Sequence, residues 1–168
     1  MLKRQTYSGI IFALLGLIYT SLNGQISITQ LGVPLTENFN TLTPSTTSNT
    51  ECCFTNVPSH WQFFETGSGG NNTYGATTGA STSGNTYSYG SLSSTDRAFG
   101  ALNSTSVDSV IIGTSYTNNT GSAIQSLKIT YTGEQWRQNQ TGRIGPDTLL
   151  FAYSTDATNL TSGNWTAV

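Results

Sequence analysis

Beyond residue 24, no segment of this chain sets its apolar residues at helical spacing, and several set them at every second position. "SLKITYTG" sets Leu127, Ile129 and Tyr131 in alternation with polar residues. "PDTLLFAYST" puts Leu149, Phe151 and Tyr153 on one face and Leu150 and Ala152 on the other. A period of two marks strands, with alternate side chains on opposite faces. "WQFFET", "NTYSYGS", "RAFGAL" and "SVDSVIIGTSYTN" read as further strands, "ISITQLG" as the opening one and "NWTAV" as the start of another. The turn "NNTG", Asn118 to Gly121, joins "SVDSVIIGTSYTN" to an antiparallel partner, "SAIQSLKITYTG". Many short strands with turns between them specify an all-β fold, an antiparallel β-sandwich of jelly-roll type. Aromatics at 11 % and charged residues at 8 % agree, since Thr and Tyr favour strands and few Lys or Glu are present to sustain helices.

The chain begins differently. "MLKR" is a basic start, and "IIFALLGLIYTSL", Ile10 to Leu22, is an apolar run followed by "NGQ". A membrane span needs about 20 apolar residues, and this run is shorter. It has the form of a secretory signal peptide, residues 1–24, cleaved after Gly24. The mature chain is then a single β-sandwich module, residues 25–168, secreted or at the cell surface and free of the membrane after cleavage. Loss of Lys3 and Arg4 with the leader removes two positive charges and takes the formal net charge from −2 to −4. No run of Lys or Arg is present, so nucleic acid is not an expected partner. Val168 falls inside an apparent strand, and the module is expected to be incomplete at its C-terminus, with further domains of the same protein beyond it.

Two stretches read as loops. "TPSTTSNTECCFTNVPSH" is polar and punctuated by Pro, and "GSGGNNTYGATTGASTSG" is rich in Gly, Ser and Thr, with Tyr74 inside it. The second is expected to be ordered, because Tyr87 and Tyr89 follow on one face of a strand. Phe39, before the first loop, reads as a core anchor. The neighbours Cys52 and Cys53 have three readings: reduced thiols, a vicinal disulfide, or pairing outside the chain. Adjacent Cα atoms lie closer than most disulfides place them, which favours the reduced pair. With only His60 besides, they lack the number and spacing of zinc ligands.

The densest cluster is "ITYTGEQWR", where Glu134, Trp136 and Arg137 crowd together. Two readings compete. In the ligand-binding one, Trp136 offers a flat apolar face to a sugar ring, and Glu134 and Arg137 hydrogen-bond its hydroxyls. In the structural one, Trp136 packs and Glu134 forms an ion pair with Arg97 or Arg137; the structural reading is favoured. Gly133 decides the direction, since a bulge at this glycine turns Glu134 and Trp136 toward the core.

Other candidates are weaker. Asp96 and Glu134 as a glycosidase pair lack any sign of the required separation around a cleft. Calcium is a candidate ligand through Asp147, Asp156 and loop carbonyls, though no EF-hand spacing is present. His60, beside Trp61, reads as a packed or surface residue. The Asn-x-Thr triplets, Asn103-Ser-Thr and Asn159-Leu-Thr among them, are expected by chance in so Asn- and Thr-rich a chain.

"STDRAFGAL", "YTNNTGSAIQSLKITYTGEQWR", "DTLLFAYS" and "LTSGNWTAV" together resemble a β-sandwich module near the N-terminus of secreted bacterial multi-domain proteins, many with C-terminal sorting domains. The resemblance spans roughly residues 38–168 and is densest from Asp96 onward. It implies a concanavalin-like jelly roll without catalysis of its own, and Arg97 of "DRAFG" as the structural partner of Glu134. Such modules continue past the position of Trp165 with strands this chain does not have. The function expected is therefore non-catalytic binding or adhesion, to a polysaccharide or a cell-surface partner. The alternative is the accessory front of a larger secreted enzyme, an extracellular nuclease or a glycoside hydrolase.

Overall fold

The structure, a computed structural model, describes residues 24–47, 51–137 and 148–168. The expected leader lies outside these residues except for Gly24. Ten strands occur in order: β1 Ile26–Ile28, β2 Glu51–Phe54, β3 Trp61–Glu65, β4 Tyr74–Thr77, β5 Asn85–Tyr89, β6 Ala98–Leu102, β7 Val110–Thr114, β8 Tyr116–Asn118, β9 Ala152–Tyr153 and β10 Thr166–Ala167. No helix occurs among the described residues, and none there is long and apolar enough to cross a membrane. The fold is all-β and sandwich-like.

One sheet has the order β2-β4-β5-β6, and β3 pairs with β7 in a second. Two smaller ladders join β1 to β8 and β9 to β10. The pairs β4–β5 and β1–β8 are parallel, so the architecture is mixed rather than purely antiparallel.

Register assigns the faces. Gly75 pairs with Tyr87 and Ala76 with Ser88, while Ser88 also pairs with Phe99. Tyr74, Ala76, Thr86, Ser88 and Phe99 therefore share one face of the large sheet. Phe63 of β3 meets this face, with its ring edge-on to Phe99 at 5.8 Å and to Tyr74 at 6.4 Å. Phe39 adds a ring 4.8 Å from Trp61 and 5.7 Å from Phe99, and so anchors the core as expected. Edge-to-face packing sets the positive rim of one ring against the negative face of the next. Tyr74 is fully buried, and its hydroxyl donates to Asn56 Oδ1 at 2.7 Å and accepts from the Thr43 amide at 3.0 Å. A buried phenol needs such partners.

Glu65 reaches into the space between the sheets. It shares the inner face of β3 with Trp61 and Phe63 and is only 5 % exposed. Its Oε1 accepts from the Thr86 amide at 2.6 Å and the Thr86 hydroxyl at 2.7 Å, and its Oε2 from the Asn71 amide at 3.0 Å. One carboxylate thus ties β3 to β5 and holds the loop between β3 and β4.

The outer face of the large sheet carries Tyr87 and Tyr89 beside glycines. A Cβ on Gly75 would lie 2.6 Å from the Tyr87 ring, and one on Gly100 would lie 3.2 Å from Tyr89. The parallel join of β4 to β5 forces the chain to run back along this sheet through residues 78–84. Such joins usually take a dozen residues or more, so this one is drawn tightly across the outer face. The Tyr87 hydroxyl fixes it, donating to the Ser83 carbonyl at 2.8 Å and lying 2.7 Å from Ser81 Oγ.

Several expectations change. The stretch expected to pair after "NNTG" forms no strand: residues 123–137 are irregular, and Leu127, Ile129 and Tyr131 are 60 %, 52 % and 59 % exposed. Alternation prepares a face, but a strand also needs a neighbouring edge to take its backbone hydrogen bonds. Of "PDTLLFAYST", residues 148–155 are described and form only the short β9, and Leu149 and Leu150 are exposed. The expected loops around Cys52 and Tyr74 instead contain β2 and β4. Cys52 and Cys53 are joined as a vicinal disulfide across a cis peptide, so the reduced reading is corrected.

Substitution of Glu65 by Ala leaves the buried amide and hydroxyl of Thr86, and the part-buried Asn71 amide, without their acceptor. The expected loss in unfolding free energy is about 3 kcal/mol, with a smaller loss for Glu65→Gln, which keeps one acceptor oxygen. Urea unfolding of the two variants measures both.

Candidate ligand-binding site

The outer face of β5 is where the aromatic and charged residues of "GEQWR" arrive. Trp136 is half-buried and lies over Tyr89, with ring centroids 6.4 Å apart and planes 18° from parallel. Its indole N–H donates to Glu134 Oε2 at 2.8 Å. Arg137 Nη1 donates to the Ser81 carbonyl in the return loop. The three residues singled out from the sequence, Trp136, Glu134 and Arg137, are thus brought together with Tyr89 and the 78–84 loop.

The chain reaches this place without the expected bulge. Gly133 has no atom within 4 Å of a would-be Cβ and sits outside any strand. A different glycine makes the contact. Gly79 has φ +93°, and a Cβ there would lie 2.3 Å from the Trp136 carbonyl oxygen. Only glycine fits a backbone approach this close at a positive φ. Thr77 Oγ1 supports the turn by accepting from the Gly79 amide at 3.2 Å and the Ser81 amide at 3.3 Å.

The expected ion pair between Arg97 and Glu134 does not form. Arg97 is 4 % exposed and turns into the protein. Its Nε donates to Ser88 Oγ at 2.8 Å, and its Nη2 to the Ser88 and Thr77 carbonyls at 2.7 Å and 3.4 Å. Nη1 donates to the Ser91 carbonyl at 3.3 Å. The planar fork of donors suits several carbonyls at once. Burial pulls its pKa down, opposed by the charges it faces. Arg97 therefore fastens the ends of β4 and β5, and Glu134, exposed, is left to the indole.

The other candidates separate. Asp96 lies in the turn before β6, with its amide bound to Ser94 Oγ at 3.1 Å. His60 Nδ1 donates to the Gly24 carbonyl at 2.6 Å, a surface contact. The Asp156 carboxylate accepts from the Asn164 amide, from Ser154 Oγ and from the Asn164 side chain, which in that order hold its pKa below the usual carboxylate range. Its oxygens organise the loop before β10, and Asp147 lies outside the described residues. Among the described residues no group of three or more His, Cys, Asp or Glu side chains is placed to hold a metal ion. The Asn-x-Thr triplet at Asn159 closes a turn, its Oδ1 accepting from the amide and hydroxyl of Thr161 at 2.9 Å each.

Two residues of the cluster, Tyr89 and Gly79, carry no site signal of their own in the sequence. For Tyr89 the available signal is its place on one strand face with Tyr87, and Gly79 is one glycine among many in its stretch. No family model, curated protein or solved structure matches this chain.

Burial raises the Tyr89 pKa above the ordinary tyrosine value, and the neighbouring Tyr87 adds to the shift while Arg137 opposes it. A raised folded-state value means stability is whole below the unfolded pKa and declines as pH rises through the folded one. Tyr89 is therefore expected to stay protonated between about pH 9 and about pH 11, where free tyrosine ionises. Over that range the tyrosinate absorbance of the folded wild type should match that of Tyr89→Phe; a full one-residue difference rejects this placement.

Proposed function

We propose that this chain is a non-catalytic β-sandwich module that binds carbohydrate on the outer face of its large sheet, working outside the cell. The observation that carries the reading is the half-buried Trp136, held against Tyr89 with Glu134 at its N–H and Arg137 anchored beside it. Aromatic planes attract the apolar faces of sugar rings, and charged side chains around them accept and donate to hydroxyls. An indole already fixed by stacking and a hydrogen bond loses little freedom when a ligand arrives. The resemblance to N-terminal modules of secreted bacterial multi-domain proteins supports the same reading, as does the leader-like start of the sequence. In this view the module targets or tethers whatever else the protein carries, to a polysaccharide or to a glycosylated cell surface.

A soluble-polysaccharide panel tested by affinity electrophoresis or calorimetry examines the proposal. Trp136→Ala should weaken binding by about tenfold or more, a change of roughly 1.4 kcal/mol, with far-UV circular dichroism unchanged. Glu134→Gln, which keeps an acceptor for the indole, should weaken binding less. A folded Trp136→Ala variant that binds as well as the wild type overturns the proposal. An unfolded one shows that the indole acts as a fastening of the sheet, and the Glu134→Gln and Arg137→Ala variants then decide whether this face takes a sugar.

A further inference from the structure

Cys52 and Cys53 stand apart from the site above, and their surroundings give them a separate role. They lie in β2, the edge strand of the large sheet, and both are exposed. Glu51 pairs with Ala76 and Phe54 with Tyr74, so the two cysteines together face the single residue Gly75. This is the count of a β-bulge, two residues against one, which lifts the extra residue out of the ladder. The linked sulfurs therefore sit on a raised point of an open edge.

A disulfide that supports a fold does so chiefly by closing a loop, and its effect grows with loop length. This one joins neighbours, with a sequence separation of one, and encloses no such loop. The strand on either side is held by other means. Glu51 Oε1 accepts from the amide and hydroxyl of Thr46 at 2.6 Å and 2.8 Å and from the Thr47 amide at 2.7 Å. The Thr46 hydroxyl and amide, followed by Thr47, hold the Glu51 pKa down, so this clamp stays charged near neutrality. At the other end the Phe54 ring packs 5.6 Å from that of Tyr74. The bond can open without removing either attachment.

From exposure, position and the lack of any stapling role, we infer that Cys52–Cys53 is a reversible thiol-exchange site for low-molecular-weight thiols. A thiolate from such a thiol attacks one sulfur and forms a mixed disulfide, and the partner cysteine leaves as a thiolate. A second thiolate attacks the external sulfur of that adduct, releasing the oxidised external disulfide and the second protein thiolate. Two electrons pass from the two external thiols to the protein disulfide. At neutral pH the cysteine thiolates take up the protons those thiols gave up. The reverse exchange with the external disulfide restores the bond.

The test uses the full chain in native buffer with glutathione as the thiol. Before treatment, mass spectrometry after maleimide labelling should show an unlabelled chain. After glutathione, two maleimides per chain should add while the far-UV circular dichroism stays unchanged, and oxidised glutathione should reverse the labelling. In Cys53→Ser, the free Cys52 thiolate should attack oxidised glutathione and keep one glutathione as a mixed disulfide, with reduced glutathione leaving. Labelling before any reductant, labelling only in denaturant, or loss of the fold on reduction each overturns the inference. The wild-type measurements stand whether or not the variant folds.

Discussion

The Glu65 carboxylate occupies the space between two sheets, where an isolated charge is several kilocalories per mole too costly to keep. It survives because three donors from two different segments converge on it. Those donors belong to β5 and to the loop that leads into β4, so meeting the needs of one side chain sets the distance between layers. The aromatic rings of Phe39, Trp61, Phe63, Tyr74 and Phe99 then fill what remains. Arg97 solves the opposite problem at the ends of the same strands with carbonyls and a serine hydroxyl. The two buried ions are compensated separately by backbone and hydroxyl groups. This gives a chain poor in charged residues a framework with few apolar branches in its interior.

The parts legible in the sequence were those where a strand has its partner nearby. Asn85 to Tyr89 combines alternation with neighbours that complete its ladder, while Trp61 to Glu65 and Ala98 to Leu102 are marked by their aromatic and apolar density, and all three are legible. Tyr74 to Thr77 was hidden, because Gly, Ala and Thr carry no alternation and resemble the polar loops around them. Leu127, Ile129 and Tyr131 mislead for the opposite reason. They have the periodicity, and no described strand lies alongside to receive their backbone groups. Opposite charge pairs Arg97 with Glu134 in the sequence, but a buried guanidinium meets backbone carbonyls instead. Backbone acceptors are present at every position and leave no mark on composition.

The candidate site was partly legible. Trp136, Glu134 and Arg137 do converge, yet the means of convergence is the glycine at 79 and the exposed curve of the return loop. Fastening and recognition also turn out to be compatible roles for Trp136. One part of the indole rests on Tyr89, and its edge is bound by Glu134, while the residue keeps contact with solvent. A ligand reading needs no displacement of the packing that a structural reading describes.

The tight return between the parallel strands β4 and β5 has a consequence for how the protein can vary. The same short run of residues covers Tyr87, receives Arg137 and turns at Gly79 beneath the backbone of Trp136. Its length is therefore set from both ends and from the middle. Evolutionary or laboratory change can alter its exposed side chains, such as Thr82, while leaving the span intact. Lengthening it would slacken the cover over a tyrosine and move the wall of the aromatic face in a single step. On this side of the sheet, loop length behaves like a core dimension.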